Sequence, residues 1–146
     1  MSKTYFVSGH RNITEEEFIQ HYEPILWEKL NEEGAKFVIG DCNGVDDMAQ
    51  KYLKAFDVKE IKVYHMFDEP RYGNGLELVG GFVSDVDRDF AMTKASDVDI
   101  AWVRPGCERS GTGQNLERRT WYYDRLAKGL PVTMNDLIKR ESKNFL

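Results

Sequence analysis

A glycine-rich segment late in the chain combines the residue types that bind a small anion. Residues 104–113 (Arg-Pro-Gly-Cys-Glu-Arg-Ser-Gly-Thr-Gly) follow an apolar run and precede a helix that we predict to begin at about Gln114. The first N–H groups of a helix have no partner inside it, and the helix dipole favours negative charge there. Gly106 and Gly111 permit close approach of a ligand to the backbone, and Ser110 and Thr112 add hydroxyl groups. The segment predicts a cradle for a phosphate or a carboxylate.

Two further turns have the same character. Ser8, Gly9, His10 and Arg11 follow the predicted strand 4–7, and a second polar turn with Gly40, Asp41, Asn43 and Gly44 follows the predicted strand 36–39. The carboxyl ends of parallel strands share one edge of a sheet, where ligands bind at the crossover point. Each turn alone also fits an ordinary strand-to-helix loop. Their recurrence favours one shared ligand rim.

The arginines lie mainly in or just after the turns, whereas most lysines fall on predicted helix faces or at strand starts. A guanidinium group offers a planar fork that suits phosphate or carboxylate. We expect Arg11 or Arg88 to assist the cradle. The alternative is pairing with nearby Asp and Glu, which we favour for Arg118 and Arg119.

Composition limits the function classes. The chain has 146 residues, which fits one domain over 1–146, and its net charge of -5 argues against a nucleic-acid partner. No apolar run is long enough for a membrane span, and no signal-like segment is present, so we expect a cytoplasmic protein. Cys42 and Cys107 form no disulfide framework and no metal-binding spacing, so we predict reduced thiols, no metal and no cofactor.

The elements that position the turns alternate between strand and helix. We predict strands at 4–7, 36–39, 61–65 and 99–103, with a short last strand at 131–134 before a closing helix capped by Asn135. A helix begins after Thr14 in a capping box, breaks near Pro24 and ends at Gly34. Further helices follow the second turn, Ser84 and the cradle. The alternation predicts an α/β fold, a single-domain Rossmann-like parallel sheet flanked by helices (an α/β/α sandwich). We predict that residues 66–83 form a long irregular segment, which is either an ordered flap over the ligand or a disordered loop.

The three turns together resemble the superfamily that unites the DNA-processing protein DprA with the cytokinin-activating LOG proteins, called SLOG. Residues 7–11 are similar to its first-strand Gly-x-Arg motif, and residues 40–49 to its Gly-Gly-Ala-Arg-Gly-(Ile/Val/Ala)-Asp-x-x-Ala signature. Pro105, Gly106 and residues 110–112 resemble its Pro-Gly-Gly-x-Gly-Thr loop. The resemblance covers about residues 4–131 and is closest to small single-domain YspA- and YpsA-like members. It implies a Rossmann-like nucleotide-binding domain that commonly forms a homodimer.

More distant similarity to nucleoside 2-deoxyribosyltransferases and nucleotide N-glycosidases bears on catalysis. Those proteins carry a Gly-Thr-x-x-Glu turn whose Glu acts on the glycosidic bond, and Asn115 stands at that position here. An amide can hold a ribose hydroxyl but cannot act as nucleophile or general base. If the protein is an enzyme, another carboxylate takes this role, and we select Glu108 or Asp46. For Asp46 the alternative is a structural helix-capping role, and Asp87 and Asp89 are expected to be solvated or paired with arginine.

These observations lead to one main hypothesis and two alternatives. The first is an N-glycosidase or phosphoribohydrolase acting on a nucleoside 5′-monophosphate or related nucleotide, with Phe67, Tyr72 or Trp102 stacking on the base. The second is a non-catalytic nucleotide sensor or sequestering protein that uses the same pocket. The third, binding of single-stranded DNA in the manner of DprA, is disfavoured by the acidic net charge.

Overall fold

The computed structural model describes residues 2–144, and it contains one sheet of five parallel strands. The strands are β1 (Thr4–Ser8), β2 (Lys36–Ile39), β3 (Ile61–Met66), β4 (Glu77–Phe82) and β5 (Val98–Ala101). The helices are α1 (Glu15–His21), α2 (Glu23–Leu30), α3 (Val45–Ala55), α4 (Asp85–Lys94), α5 (Gly111–Ala127) and α6 (Met134–Asn144). The predicted fold class, an α/β Rossmann-like parallel sheet flanked by helices, is confirmed.

The strand order β4-β3-β2-β1-β5 places β1 at the point where the winding direction reverses. Val7 of β1 is in register with Ile39 of β2 on one side and with Ile100 of β5 on the other. The chain proceeds outward from β1 to β4 and then returns to add β5 beyond β1. A crevice opens at the carboxyl end of such a reversal, and it is the usual place for a ligand.

Both faces of the central strands are buried, as expected for a parallel sheet covered by helices. Tyr5 and Val7 of β1 pack in a cluster with Phe18, Tyr22 and Leu53 from the α1–α3 side. Phe6, between them in sequence, belongs to the second cluster with Val38 and Met92 of α4. Successive side chains of a strand point to opposite faces, so β1 holds the two helical layers together.

The break predicted near Pro24 is confirmed. Helix α1 ends at His21, Tyr22 separates the two helices, and Pro24 lies in the first turn of α2, where its missing N–H removes no hydrogen bond. The capping box of Thr14 and Glu17 is also present. Helix α2 ends at Leu30, so Gly34 lies beyond its end and does not close it.

The prediction that residues 66–83 are irregular is wrong for β4. This strand is an exposed edge strand with two central glycines, so it has neither the alternation nor the composition that marks a strand in sequence. Gly80 is needed there because a Cβ atom would overlap the ring of His65 on β3. Pairing with β3 therefore decides the conformation of this segment.

Two boundaries near the carboxyl end also differ from the prediction. The short strand predicted at 131–134 is absent, and Thr133 instead exchanges hydrogen bonds with Asp136 at the start of α6, so Asn135 is not the cap. Helix α5 begins at Gly111 rather than Gln114, which brings the glycine-rich cradle into the first helical turn. Within residues 2–144, no helix has the length and apolar character needed to cross a bilayer.

Candidate ligand site at the carboxyl edge of the sheet

A cavity of about 330 Å³ lies at the crevice beside β1. This is within the range of small-molecule sites, which run from roughly 300 to 1,000 Å³. The carboxyl ends of β1 and β2, the first turns of α3 and α5 and one face of α4 form its wall. Its lining residues are Phe6, Ser8, Gly9, His10, Arg11, Gly40, Cys42, Asp46, Asp85, Arg88, Asp89, Met92, Ser110, Gly111, Thr112 and Asn115.

All three predicted turns contribute to this one cavity. The predicted site residues that line it are Ser8, Gly9, His10, Arg11, Gly40, Asp46, Arg88, Ser110, Gly111, Thr112 and Asn115. The predicted residues outside its wall are Asp41, Asn43, Gly44, Gly106 and Glu108. Cys42, a free cysteine in the second turn, also lines the cavity.

The first turn of α5 presents free backbone donors to the cavity. Ser110 is the N-cap: its side chain accepts from the N–H of Gly113 at 3.2 Å, and its carbonyl accepts from Gln114 at 2.9 Å. Within the described chain, the N–H groups of Gly111 and Thr112 have no acceptor. A helix N-terminus with two free N–H groups facing a cavity is suited to an anion.

Ser8 adds a hydroxyl donor to the cavity wall. Its residue is only 6% exposed, and its Oγ atom has no hydrogen-bond partner among residues 2–144. Buried hydroxyl groups are nearly always hydrogen-bonded in folded proteins, so an unpartnered one in a cavity wall indicates that a ligand or water completes it.

Tyr22 fixes the two strand ends that flank the crevice. Its O–H group donates to the carbonyl of Ser8 at 2.7 Å, and its oxygen accepts from the N–H of Trp102 at 2.9 Å. The phenol is fully buried, and burial raises its pKa far above the ordinary value. Tyr22 thereby links the end of β1 to the end of β5.

Gly44 has a packing role rather than a place in the cavity wall. Its φ of 79° lies in the left-handed region, and a Cβ atom there would overlap the carbonyl oxygens of His10 and Arg11. The neighbouring N–H of Val45 donates to the carbonyl of His10 at 3.3 Å. The first and second turns therefore touch through their backbones, which holds the rim together.

Arg88 is committed to carboxylates of the protein. Its Nη1 atom donates to Asp41 at 2.7 Å, and its Nε and Nη2 atoms donate to Asp89 at 3.1 and 3.0 Å. Asp85 approaches the same guanidinium group to 3.3 Å. The prediction that Arg88 assists in holding a phosphate does not fit this geometry, because its donors are already paired. The alternative considered from the sequence was that these arginines pair with nearby acidic residues. Arg88 and Asp89 are paired in this way.

Asp41 connects this buried cluster to the segment after β3. The carboxylate accepts from the backbone N–H and the side chain of Arg71, with the Nη2 contact at 2.9 Å, and its carbonyl accepts from the N–H of Tyr72 at 3.1 Å. These bonds hold the pKa of Asp41 below its usual range despite burial. The segment 67–76 is thus anchored at the rim, but none of its residues lines the cavity.

Asp46 is a buried carboxyl group in the cavity wall with a strongly raised pKa. Burial raises its pKa to about 7, with smaller contributions from Asp89 and Asp41, against the opposing effects of Arg88 and of the Cys42 N–H. That N–H donates to Oδ2 of Asp46 at 3.1 Å. A carboxyl group that titrates near neutral pH can act as acid or base, whereas an ordinary exposed one is almost fully ionised.

The imidazole ring of His10, which also lines the cavity, is held in its neutral form. Nε2 of its ring accepts from the backbone N–H of Arg104 at 2.9 Å, so its single proton lies on Nδ1. Burial and the charge of Arg104 lower its pKa below the ordinary value. Arg104 itself forms an ion pair with Glu17, with Nη2 and Oε1 2.7 Å apart.

Arg11 is the cation available at the mouth of the cavity. Its side chain is 57% exposed, and its only carboxylate contact among the described residues is to Asp85 at 3.5 Å.

Glu108 lies outside the cavity wall. Its Oε1 atom accepts from the N–H of Gly106 at 3.1 Å, within the same loop, and backbone hydrogen bonds lower its pKa.

The aromatic residues predicted to stack on the base are also absent from the cavity wall. Phe67 is exposed, and Trp102 stacks on His21 with a distance of 3.9 Å between the ring centroids.

Comparison with protein-family models, with curated proteins and with solved structures finds no match. No group of three or more His, Cys, Asp and Glu side chains suited to a metal ion occurs within residues 2–144. The chemistry of the cavity wall is therefore the basis for a functional proposal.

Proposed function

We propose that the cavity binds a nucleoside 5′-monophosphate or a related nucleotide and that the protein hydrolyses its N-glycosidic bond. The observation that carries this proposal is the pair of free N–H groups, Gly111 and Thr112, which face the same cavity as a carboxyl group of Asp46 that titrates near neutral pH. The first feature suits an anionic group, and the second suits proton transfer.

The wall of the cavity offers both hydrogen-bond donors and acceptors. The α5 N-terminus, Ser8 and Arg11 offer hydrogen-bond donors or positive charge, while Asp46 and Asp89 offer carboxyl oxygens. A ligand that matches this wall carries an anion at one end and hydroxyl donors at a distance from it. A phosphorylated ribose has both, so the phosphate fits at α5 and the sugar fits against the carboxyl groups.

Asp46 is the residue proposed for the chemical step. In its protonated form it donates a proton to the leaving base as the C1′–N bond breaks. The oxygen of a water molecule forms the new bond at C1′, and the proton that this water loses passes to a second carboxylate. Many glycosidases need a second carboxylate near the sugar to assist the water, and Asp89 lies in the same wall. Glu108, the other residue selected from sequence, has no place in this scheme because it lies outside the wall.

A non-catalytic nucleotide sensor is the second candidate, and Asn115 is the observation that favours it. This amide lines the cavity where the similar turn of glycosidases carries a glutamate. Binding would remain intact in a sensor, while no free base would be released. Turnover therefore separates the two candidates, and affinity does not.

Binding is tested by nuclear magnetic resonance titration of the ¹⁵N-labelled protein with nucleoside monophosphates, nucleoside diphosphates and ADP-ribose. We expect the largest shifts at the Gly111 and Thr112 amides. Gly111→Asp places a carboxylate in the first turn of α5, where a Cβ atom has free space, so the helix keeps its stability while the anion is repelled. Asn135→Asp puts the same new charge in the exposed first turn of α6 and is the matched control.

Catalysis is tested by chromatography of each bound nucleotide for released base. Release that is lost in Asp46→Asn and retained in Glu108→Gln supports the hydrolase, and binding without release in the wild type supports the sensor. If no phosphorylated compound moves the Gly111 and Thr112 amides, both candidates are wrong.

A further inference from the structure

Asn115 has a defined orientation because its neighbour on α5 is an arginine. Nη1 of Arg118 lies 2.6 Å from the side-chain oxygen of Asn115. A guanidinium group has only donors, so the amide atom at this distance must be the carbonyl oxygen Oδ1. The NH₂ group of Asn115 is therefore on the other side of the amide, where it donates to the carboxyl group of Asp89. Its second N–H is left for a ligand in the cavity that Asn115 lines.

Arg118 is itself held from the far side by the last helix. Its Nε atom donates to Glu141 of α6 at 2.5 Å, and its Nη2 atom reaches Gln114 at 3.4 Å. Its side chain is only 2% exposed, and it does not line the cavity. A buried guanidinium group with carboxylate and amide partners in fixed positions has little freedom to rotate, so the amide it holds is also fixed.

Asn115 lies one helical turn beyond Gly111 on the same face of α5, about 6 Å further along the axis. A group bound at the free N–H groups of the first turn cannot also fill that position, so a different part of the ligand reaches Asn115. An NH₂ group donates, so it selects an oxygen acceptor there. In a phosphorylated sugar the hydroxyl and ring oxygens supply such acceptors.

We infer that Arg118, anchored by Glu141, is a positioning residue that directs the Asn115 NH₂ group at a sugar oxygen of the ligand. This inference rests on the proposed nucleotide site and adds the residue that sets its recognition of the sugar. Through Glu141, helix α6 then influences recognition of the ligand, although none of its described residues lines the cavity.

The test compares two adjacent buried arginines of α5. Arg118→Lys keeps the charge but cannot reach Asn115 and Glu141 together. Arg119→Lys is the matched control, because Arg119 bonds to Thr93, Ser96 and Asp99 and stays away from the cavity. Ribose 5-phosphate and inorganic phosphate are the probes, titrated while the ¹⁵N-labelled protein is observed.

We expect Arg118→Lys to weaken binding of ribose 5-phosphate about fivefold to tenfold, the range for one lost hydrogen bond, and to leave inorganic phosphate unchanged. Arg119→Lys leaves both affinities unchanged. In an Asn115→Ala background, Arg118→Lys has no further effect on affinity, which a merely structural role would not produce. An equal loss in both backgrounds, or no loss in the wild-type background, overturns the inference.

A second measurement needs no ligand. The side-chain NH₂ signals of Asn115, assigned by their absence in Asn115→Ala, shift in Arg118→Lys and not in Arg119→Lys. If Arg118→Lys fails to fold, Glu141→Ala at the other end of the chain of bonds gives the same readout. Unmoved NH₂ signals overturn the positioning role even if binding is normal. Failure of the wild type to bind either probe refutes the proposed function instead.

Discussion

Replacing Asp46 by asparagine is expected to make the protein more stable at alkaline pH and to leave it nearly unchanged in acid. The pKa of this carboxyl group is about 7 in the folded protein and 3.8 as an ordinary reference. The folded state therefore holds the proton more tightly than the unfolded state does. Between these two values, stability falls as pH rises, and above about 7 the loss is complete.

The magnitude follows from the separation of the two pKa values. About three units correspond to about 4 kcal/mol of unfolding free energy, with a slope of about 1.4 kcal/mol per pH unit between pH 5 and 7. An asparagine side chain has the same shape as the aspartate and keeps an oxygen for the Cys42 N–H, which now donates to Asp46 at 3.1 Å. The variant thus loses the cost of ionisation but not the hydrogen bond.

The assay is urea denaturation of the ligand-free protein at pH 5, 6, 7 and 8 in a buffer without phosphate. We expect the wild type and Asp46→Asn to diverge with rising pH up to about 7 and to run parallel above it. Asp124→Asn, on the exposed end of α5, is the control, and its difference from the wild type should be constant. Equal pH profiles for the wild type and Asp46→Asn would show that Asp46 is ionised at neutral pH and refute its assignment as a proton donor.

Two further outcomes follow from the same cavity. Tyr22→Phe removes the donor to the Ser8 carbonyl and leaves the Trp102 N–H unpaired in the interior, so urea denaturation should show a loss of about 1–3 kcal/mol, whereas Tyr123→Phe, at an exposed site, should cost less. Sulfate keeps a constant charge between pH 5 and 9, so its affinity, followed at the Gly111 and Thr112 amides, should fall as Asp46 ionises near pH 7; a sulfate affinity whose pH dependence is the same in Asp46→Asn would contradict this.

The order of strands and helices around the crevice was predictable because each turn carries its own local signal. Glycine and capping residues mark where β1 and β2 end and where α5 begins, and parallel pairing brings such ends to one edge. The break before Pro24 is equally local. Strand β4 was not predictable, because its exposed, glycine-containing segment becomes a strand only through pairing with β3 and through the space that Gly80 leaves for His65.

The role of Arg88 depends on residues far away in sequence. Its partner Asp41 is 47 positions earlier. The acids next to residue 88 indicate that Arg88 could pair locally, but they do not decide between such pairing and a contact with phosphate. The same applies to Arg118, whose partner Glu141 lies in the final helix. Local motifs predict which backbone segments reach the site, whereas the pairing of buried charges is decided by tertiary packing.

Because Arg88 is paired with carboxylates of the protein, other groups must bind an anion in the cavity. With its donors paired to Asp41 and Asp89, attraction of a phosphate depends on the α5 N-terminus, on Ser8 and on the exposed Arg11. Backbone N–H groups retain their partial charge at every pH, so the pH dependence of binding an anion of constant charge comes from the carboxyl groups in the same cavity wall. A protonated Asp46 adds no repulsion and holds the proton that a leaving base needs. Under the proposed function, the protonation state that favours anion binding is therefore also the state that can donate a proton to the leaving base.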